Sequence, residues 1–202
     1  DKVEYFEAID NPEDPNSKTH QIPFSRELYI EREDFMEDPP KKYHRLYPGN
    51  EVRLKYAYYV TAHSVVKDND GNIVEVHCTY DPESRGGSTP DGRKVKGTSH
   101  WVSASEGVTI EAHLYDKLFL TEYPGKETGN YLDDLNPDSL QIVSNAKAEP
   151  QIKQAKEGDY LQFIRNGYFC LDSKASSQDH LVFNRTVTLK DSWAKLKKKM
   201  GM

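Results

Sequence analysis

A chain of 202 residues can bury one large core or two small ones, and its 13 Tyr, 12 Gly and 11 Pro suit short strands joined by turns. The formal net charge of −6 and sequence pI near 5.7 exclude a uniformly basic nucleic-acid-binding surface. No run approaches the roughly 18 apolar residues of a membrane-spanning helix and no charged start leads into an apolar stretch, so a soluble protein is expected.

The charge is unevenly spread. Acidic side chains crowd the start (Glu4, Glu7, Asp10, Glu13, Asp14, then Glu31, Glu33, Asp34, Glu37 and Asp38) before Lys41, Lys42, Arg45, Arg53 and Lys55, which leaves room for one basic face. The first residues, 2–8, read as a strand, and the start at Asp1 suggests a piece cut from a longer polypeptide. After an Asn/Pro/Asp-rich loop over 10–17, residues 21–30 alternate through Ile22, Phe24, Leu28 and Ile30, predicting one half-buried strand. Residues 32–36 predict a brief helical turn ended by Pro39-Pro40. Pro48-Gly49 then turns the chain into a second long strand over 51–65, where Val52, Leu54, Tyr56, Tyr58 and Val60 alternate.

Asp68-Asn69-Asp70-Gly71-Asn72 supplies the positive φ values of a tight hairpin into a strand over 73–80. A loop over 81–92 carries Gly86-Gly87 and Pro90-Asp91-Gly92, and strands are expected at 94–104 and 108–119. The Gly-, Asp-, Asn- and Pro-rich stretch 121–137 separates these from a second set at 140–143, 160–164, 167–171 and 181–189. Residues 191–199 form a short basic tail. The expectation is an all-β chain of two small β-barrels, mainly residues 1–120 and mainly residues 121–202, because closing a short antiparallel sheet hides its edges. Cys78 and Cys170 both fall in apolar strand-like runs, which predicts two buried, reduced thiols and a cytoplasmic setting.

Catalytic signals are lacking. The seven histidines never take metal spacing with a cysteine or a second histidine, and neither G-x-G-x-x-G nor G-x-x-x-x-G-K-[ST] occurs. Asp116 and Glu122 flank a strand end, but in a chain that is 30% charged such proximity is expected without function. No catalytic residue, metal or cofactor is therefore assigned to the chain.

Several words, in order along nearly the whole length, resemble the C-terminal anticodon-binding region of glutaminyl-tRNA synthetases. They are residues 21–25 (QIPFS), 51–54 (EVRL), 91–97 (DGRKVKG), 100–104 (HWVSA), 167–173 (GYFCLDS) and 183–187 (FNRTV). The resemblance implies two β-barrels of the ribosomal protein L25 type with strands exchanged between them, gripping an anticodon loop. It implies a synthetase core upstream that uses ATP with Mg to ligate glutamine. It also implies tRNA-Gln as partner, with no DNA or membrane, and a monomer.

The resemblance further implies site residues. Arg45 matches the family's arginine for the third anticodon base, and an arginine fork can bond O6 and N7 of guanine. Lys42 stands where some members have glutamine and His44 where they have lysine; with Lys41 they flank Tyr43, donors on both sides of a ring. Arg53 and Lys55, two apart on one strand and so on one face, match the basic pair near the first base. Gln162 and Arg165 match the pocket for the middle base, where an amide can pair with N3–H and O4 of uracil. Ile164 replaces an acidic residue and Glu13 an asparagine of some members, and further family contacts come from a helical segment preceding this region. Trp101 and Phe169, inside two of these words, are expected to be core. Lys195 and Lys197-Lys198-Lys199 are read as a solvated tail.

Two alternatives stand beside this reading. One is the corresponding region of an archaeal or eukaryotic-type glutamyl-tRNA synthetase, which shares the two barrels. The other is a 5S-rRNA-binding ribosomal protein of the L25 type.

Overall fold

The computed structural model describes residues 2–189, so the basic tail lies outside the described residues. The chain is all-β: among the described residues 13 strands form four sheets, and the helical segments are short pieces of 3-10 helix of at most five residues. It divides into two compact units, Asp1–Gly107 and Val108–Met202.

In the first unit β1 (Glu4–Ile9) pairs antiparallel with β2 (Thr19–Phe24), from Glu4 opposite Phe24 to Ile9 opposite Thr19. β3 (Leu28–Ile30) pairs with β8 (Trp101–Ser103). A four-stranded sheet takes the order β6-β5-β4-β7 from β4 (Glu51–Leu54), β5 (Tyr59–Lys67), β6 (Ile73–Asp81) and β7 (Thr98–Ser99), with β7 parallel to β4. Phe6, Ile22, Val52, Leu54, Tyr58 and Trp101 make the core. Within it Phe24 meets the rings of Phe6, Tyr58 and Trp101 edge-on at 5.7, 5.3 and 5.2 Å, the geometry aromatic quadrupoles favour.

Two strands expected to be continuous are broken. Residues 21–30 divide at Ser25, whose buried hydroxyl lies 2.7 Å from Ser103 Oγ and donates to the Glu27 carbonyl at 2.6 Å, satisfying a polar turn inside the core. Residues 51–65 reverse at Tyr56. Apolar alternation runs straight through this turn because Tyr56 packs on the core while its backbone takes φ +67°. The reversal makes β4 and β5 a hairpin, with Glu51 opposite Thr61. In 94–104 only Thr98–Ser99 and Trp101–Ser103 are strands.

The described residues of the second unit form one five-stranded sheet ordered β10-β9-β13-β12-β11. Its strands are β9 (Val108–Tyr115), β10 (Leu140–Ala148), β11 (Tyr160–Phe163), β12 (Gly167–Leu171) and β13 (Val182–Val187), with β13 parallel to β9 and the other pairs antiparallel. Ile110, Ala112, Phe169 and Phe183 form its core, and Phe163 stacks on Phe169 at 4.2 Å. β9 groups with this unit because both its partners lie downstream, whereas the sequence pattern placed 108–119 with residues 1–120.

Trp101 and Phe169 are core residues, 3% and 1% exposed. The cysteines depart from expectation: both thiols are free, but Cys78 is exposed and Cys170 only half-buried. β6, which carries Cys78, is the outer strand of its sheet and most of its side chains meet solvent on both faces.

Candidate nucleic-acid interface

The loop 39–47 is a short excursion pinned at its base. Tyr43 N–H donates to the Pro40 carbonyl at 3.2 Å, closing a four-residue turn whose third residue, Lys42, has φ +72°. This is a type II turn, a place that favours glycine, and a lysine held there carries roughly 1–2 kcal/mol of backbone strain. Beyond it the chain alternates: Lys42 and His44 are exposed, Tyr43 is buried and Arg45 half-buried.

The inward side chains tie the loop to the 3-10 turn Arg32–Asp34. Tyr43 Oη–H donates to the Glu33 carbonyl at 2.9 Å, and Leu46 N–H to the Asp34 carbonyl at 2.9 Å. Arg45 Nη1 donates to the Glu33 carbonyl at 3.2 Å and stands 3.3 Å from Oδ1 of the fully buried Asp34. A buried carboxylate requires such a partner. The Arg45 carbonyl in turn accepts from Asn50 Nδ2 at 2.8 Å. Arg45, read from sequence as a base-reading fork, thus also anchors the loop through one amino group, while Lys41, Lys42 and His44 face outward.

These outward residues line a groove of about 680 Å³, whose other wall is the segment 94–97. Gly97 sets that wall, since a Cβ on it would lie 2.2 Å from the His44 carbonyl oxygen and 3.0 Å from Val52 Cγ1. Only glycine lets the two backbones approach so closely. Lys94 and Lys96 are thereby brought opposite Lys41 and Lys42, with the Tyr47 ring also in the lining.

The groove's one carboxylate, Glu51, is matched by a bidentate pair with Arg93, Nε to Oε2 and Nη2 to Oε1, both at 2.9 Å. Arg93 also pairs with Asp81 and, at 2.9 Å, with Asp91. The Thr89 hydroxyl, the Arg93 N–H and the Arg93 guanidinium together hold the Asp91 carboxyl down to about 2.

Arg53 is exposed on β4, its Nε and Nη2 donating to Thr98 Oγ1 at 3.2 and 3.0 Å and its stem lying against Gly87. Lys55 falls one residue beyond β4 and opens the turn 54–57, closed by Ala57 N–H donating to the Leu54 carbonyl at 3.0 Å; its Nζ lies 4.9 Å from the Tyr56 ring centroid. Val52 and Leu54, on either side of Arg53, are buried, as strand alternation requires.

In the second unit Gln162 is exposed on β11, directly opposite Tyr168 of β12. Tyr160, on the same face as Gln162, is 75% exposed and Tyr168 40%, so an amide sits between two accessible rings. Arg165 occupies the third place of the turn 163–166, with φ +69° and the Asn166 N–H donating to the Phe163 carbonyl at 2.9 Å. Lys42, Tyr56 and Arg165 are the non-glycine residues with positive φ among the described residues, and each sits at or next to a site residue expected from sequence.

Sequence reasoning therefore named the 41–45 loop but missed Lys94 and Lys96. The signal was there: two lysines spaced by one residue share a face, and the following glycine marks a close backbone approach. Among the described residues no group of three or more His, Cys, Asp or Glu side chains is placed to hold a metal ion, and no helix is long and apolar enough to cross a membrane.

Paired strands presenting exposed lysines, arginines and tyrosines around glycine-tightened loops have the parts of a module that binds single-stranded RNA. Two family models, both described as tRNA synthetases class I (E and Q), anti-codon binding domain, match residues 1–81 and 98–172. The chain belongs to this family of anticodon-binding domains. It is similar to the glutamine-tRNA ligases of Nitrobacter hamburgensis (53% identical over 193 residues, 96% of this chain), Pseudomonas putida (52% over 194, 95%) and Clostridium kluyveri (50% over 193, 95%). The chain spans about a third of the length of these relatives, 34% of each.

Proposed function

We propose that this chain is the anticodon-reading part of a cytoplasmic glutamine-tRNA ligase, and that its partner is the anticodon loop of tRNA-Gln. Ligation of glutamine with ATP and Mg belongs, on this reading, to the remainder of the parent enzyme, and the chain contributes specificity. The observation that carries it is the loop 41–45 inside the matched segment 1–81, anchored by Tyr43 and Arg45 so that Lys41, Lys42 and His44 point to solvent.

Arg45 serves the third base, with Lys42 and His44 on that base or its phosphate, Arg53 and Lys55 serve the first, and Gln162 with Arg165 the middle one, where the Tyr168 ring offers a stacking face. A side chain committed to one base is left unpaired by a wrong one, which turns binding energy into discrimination. Half-identical relatives named as glutamine-tRNA ligases favour glutamine over the glutamyl alternative, and the family match replaces the ribosomal one.

The test is binding of this chain to the tRNA-Gln anticodon stem-loop, beside a stem-loop with altered anticodon and an Arg165→Ala variant, at low and physiological salt. Preference for the glutamine anticodon, reduced in Arg165→Ala, is expected. Equal affinity for both stem-loops would refute base reading by this chain.

A further inference from the structure

We infer that Lys94 and Lys96 act with Lys41 and Lys42 as a clamp on RNA backbone phosphates, beside the bases that the neighbouring side chains read. The inference rests on the RNA-binding function proposed above.

The first ground is charge accounting. The chain is acidic, −6 overall, and in the first unit many cations are already matched: Arg45 with Asp34, Arg93 with Glu51, Asp81 and Asp91, Lys67 with Glu37 and Lys2 with Glu4. The four groove lysines carry no ion pair among the described residues, and the carboxylate in the groove lining, Glu51, is occupied by Arg93. A matched arginine behind the wall and unmatched lysines on it leave the groove positive in a negative molecule. Such an arrangement holds anions.

The second ground is geometry. Gly97 presses the 94–97 segment onto the His44 carbonyl, so Lys94 and Lys96 are fixed across from a loop that is itself tied down at Tyr43 and Arg45. A groove of about 680 Å³ is within the range that encloses small ligands, enough for a nucleotide unit. The third ground is residue type. Lysine is a compact, mobile point charge suited to phosphate, whereas the planar fork of arginine and the side-chain amides add the geometry that matches base edges.

The experiment compares the chain with Lys94→Ala/Lys96→Ala and Lys94→Arg/Lys96→Arg, titrated from 50 to 200 mM salt. The probes are the glutamine anticodon stem-loop, an anticodon-altered stem-loop and an unrelated single-stranded RNA of equal length. Each phosphate contact on single-stranded RNA contributes about 0.7 to the slope of log K against log salt, so the alanine pair lowers the slope by about 1.4 on every probe. Over this fourfold salt range the loss of affinity is then about sevenfold smaller than for the unsubstituted chain. The arginine pair retains the slope, and the preference between stem-loops is the same in all three proteins.

An unchanged slope in the alanine pair overturns the clamp, as does an altered stem-loop preference with no change in slope. If the chain shows no stem-loop preference yet the alanine pair still lowers the slope, the clamp stands and base reading falls. If the unsubstituted chain binds none of the three RNAs, both fall. Circular dichroism confirms that the exposed substitutions leave the fold intact.

Discussion

Replacing Gly97 by Ala is the sharpest probe of how the groove is built. The backbone of Gly97 is outside the left-handed region, so the cost of a side chain there is steric: the new Cβ would overlap the His44 carbonyl oxygen at 2.2 Å and press Val52 Cγ1 at 3.0 Å. Neither neighbour yields easily, since one is backbone and the other belongs to a fully buried valine. Overpacking of this kind costs about 1–3 kcal/mol. Moving the segment away also weakens the 2.9 Å bond from Arg53 N–H to the Gly97 carbonyl, worth about 1 kcal/mol. The expected total is about 2–4 kcal/mol, or a fall in Tm of about 10 °C or more for a unit of this size. Urea unfolding followed by Trp101 fluorescence in a Trp193→Phe background measures it, with Gly92→Ala as control. Gly92 has φ +66° but nothing within 4 Å of a Cβ, so its replacement shows the conformational strain alone, about 1 kcal/mol. A Gly97→Ala loss no larger than that of Gly92→Ala would refute the close-approach account.

Lys42→Gly relieves the strained turn and is expected to raise stability by about 0.5–1 kcal/mol after the entropy of glycine is deducted, read as a higher urea midpoint; a lower midpoint would contradict the turn geometry. Phe169→Ala removes a ring that is 1% exposed and stacked on Phe163, and should cost the second unit about 3–5 kcal/mol, measured by hydrogen exchange of β12 and β13. The Arg93 cluster predicts an acid-side effect. Asp81, held low chiefly by the Arg93 guanidinium, and Asp91, held to about 2, have folded values below the ordinary value near 3.9. Their contribution is complete above that value and is lost as pH falls through the folded ones. Arg93→Ala should therefore have a lower Tm than the parent chain at pH 5 and approach it by pH 2; parallel curves would show that the cluster is not the source.

The strands that sequence pattern located correctly are those where burial and alternation coincide. β12 was placed at its observed limits because the apolar run 167–171 is bounded by turn residues and buries Phe169 next to the exposed Tyr168, and the Asp68–Asn72 hairpin followed from turn chemistry alone. Alternation failed where polar or strained residues turn the chain inside an apolar pattern, at Ser25 and Tyr56. It also failed at Cys78, because apolar content does not reveal that a strand lies at the outside of its sheet. One side of the candidate groove was legible, where Lys41-Lys42-Tyr43-His44-Arg45 puts donors on both sides of a ring. It was illegible where convergence depends on folding: the meeting of 41–44 with 94–97 is a contact over some fifty residues of chain, announced only by a glycine. The pairing of Arg45 with Asp34 was hidden for the same reason, since nothing in the acidic run 31–38 marks which carboxylate turns inward.

The left-handed turns at Lys42 and Arg165 have a practical corollary for protein engineering. A campaign that ranks substitutions by thermal stability alone would favour glycine at both, because glycine takes that conformation without steric strain. Such a variant would melt later while losing two cations from the surfaces proposed to meet RNA. Selection for heat resistance and selection for the proposed RNA binding thus pull these two positions in opposite directions, and a stabilised chain is better sought in the cores around Phe24 and Phe169.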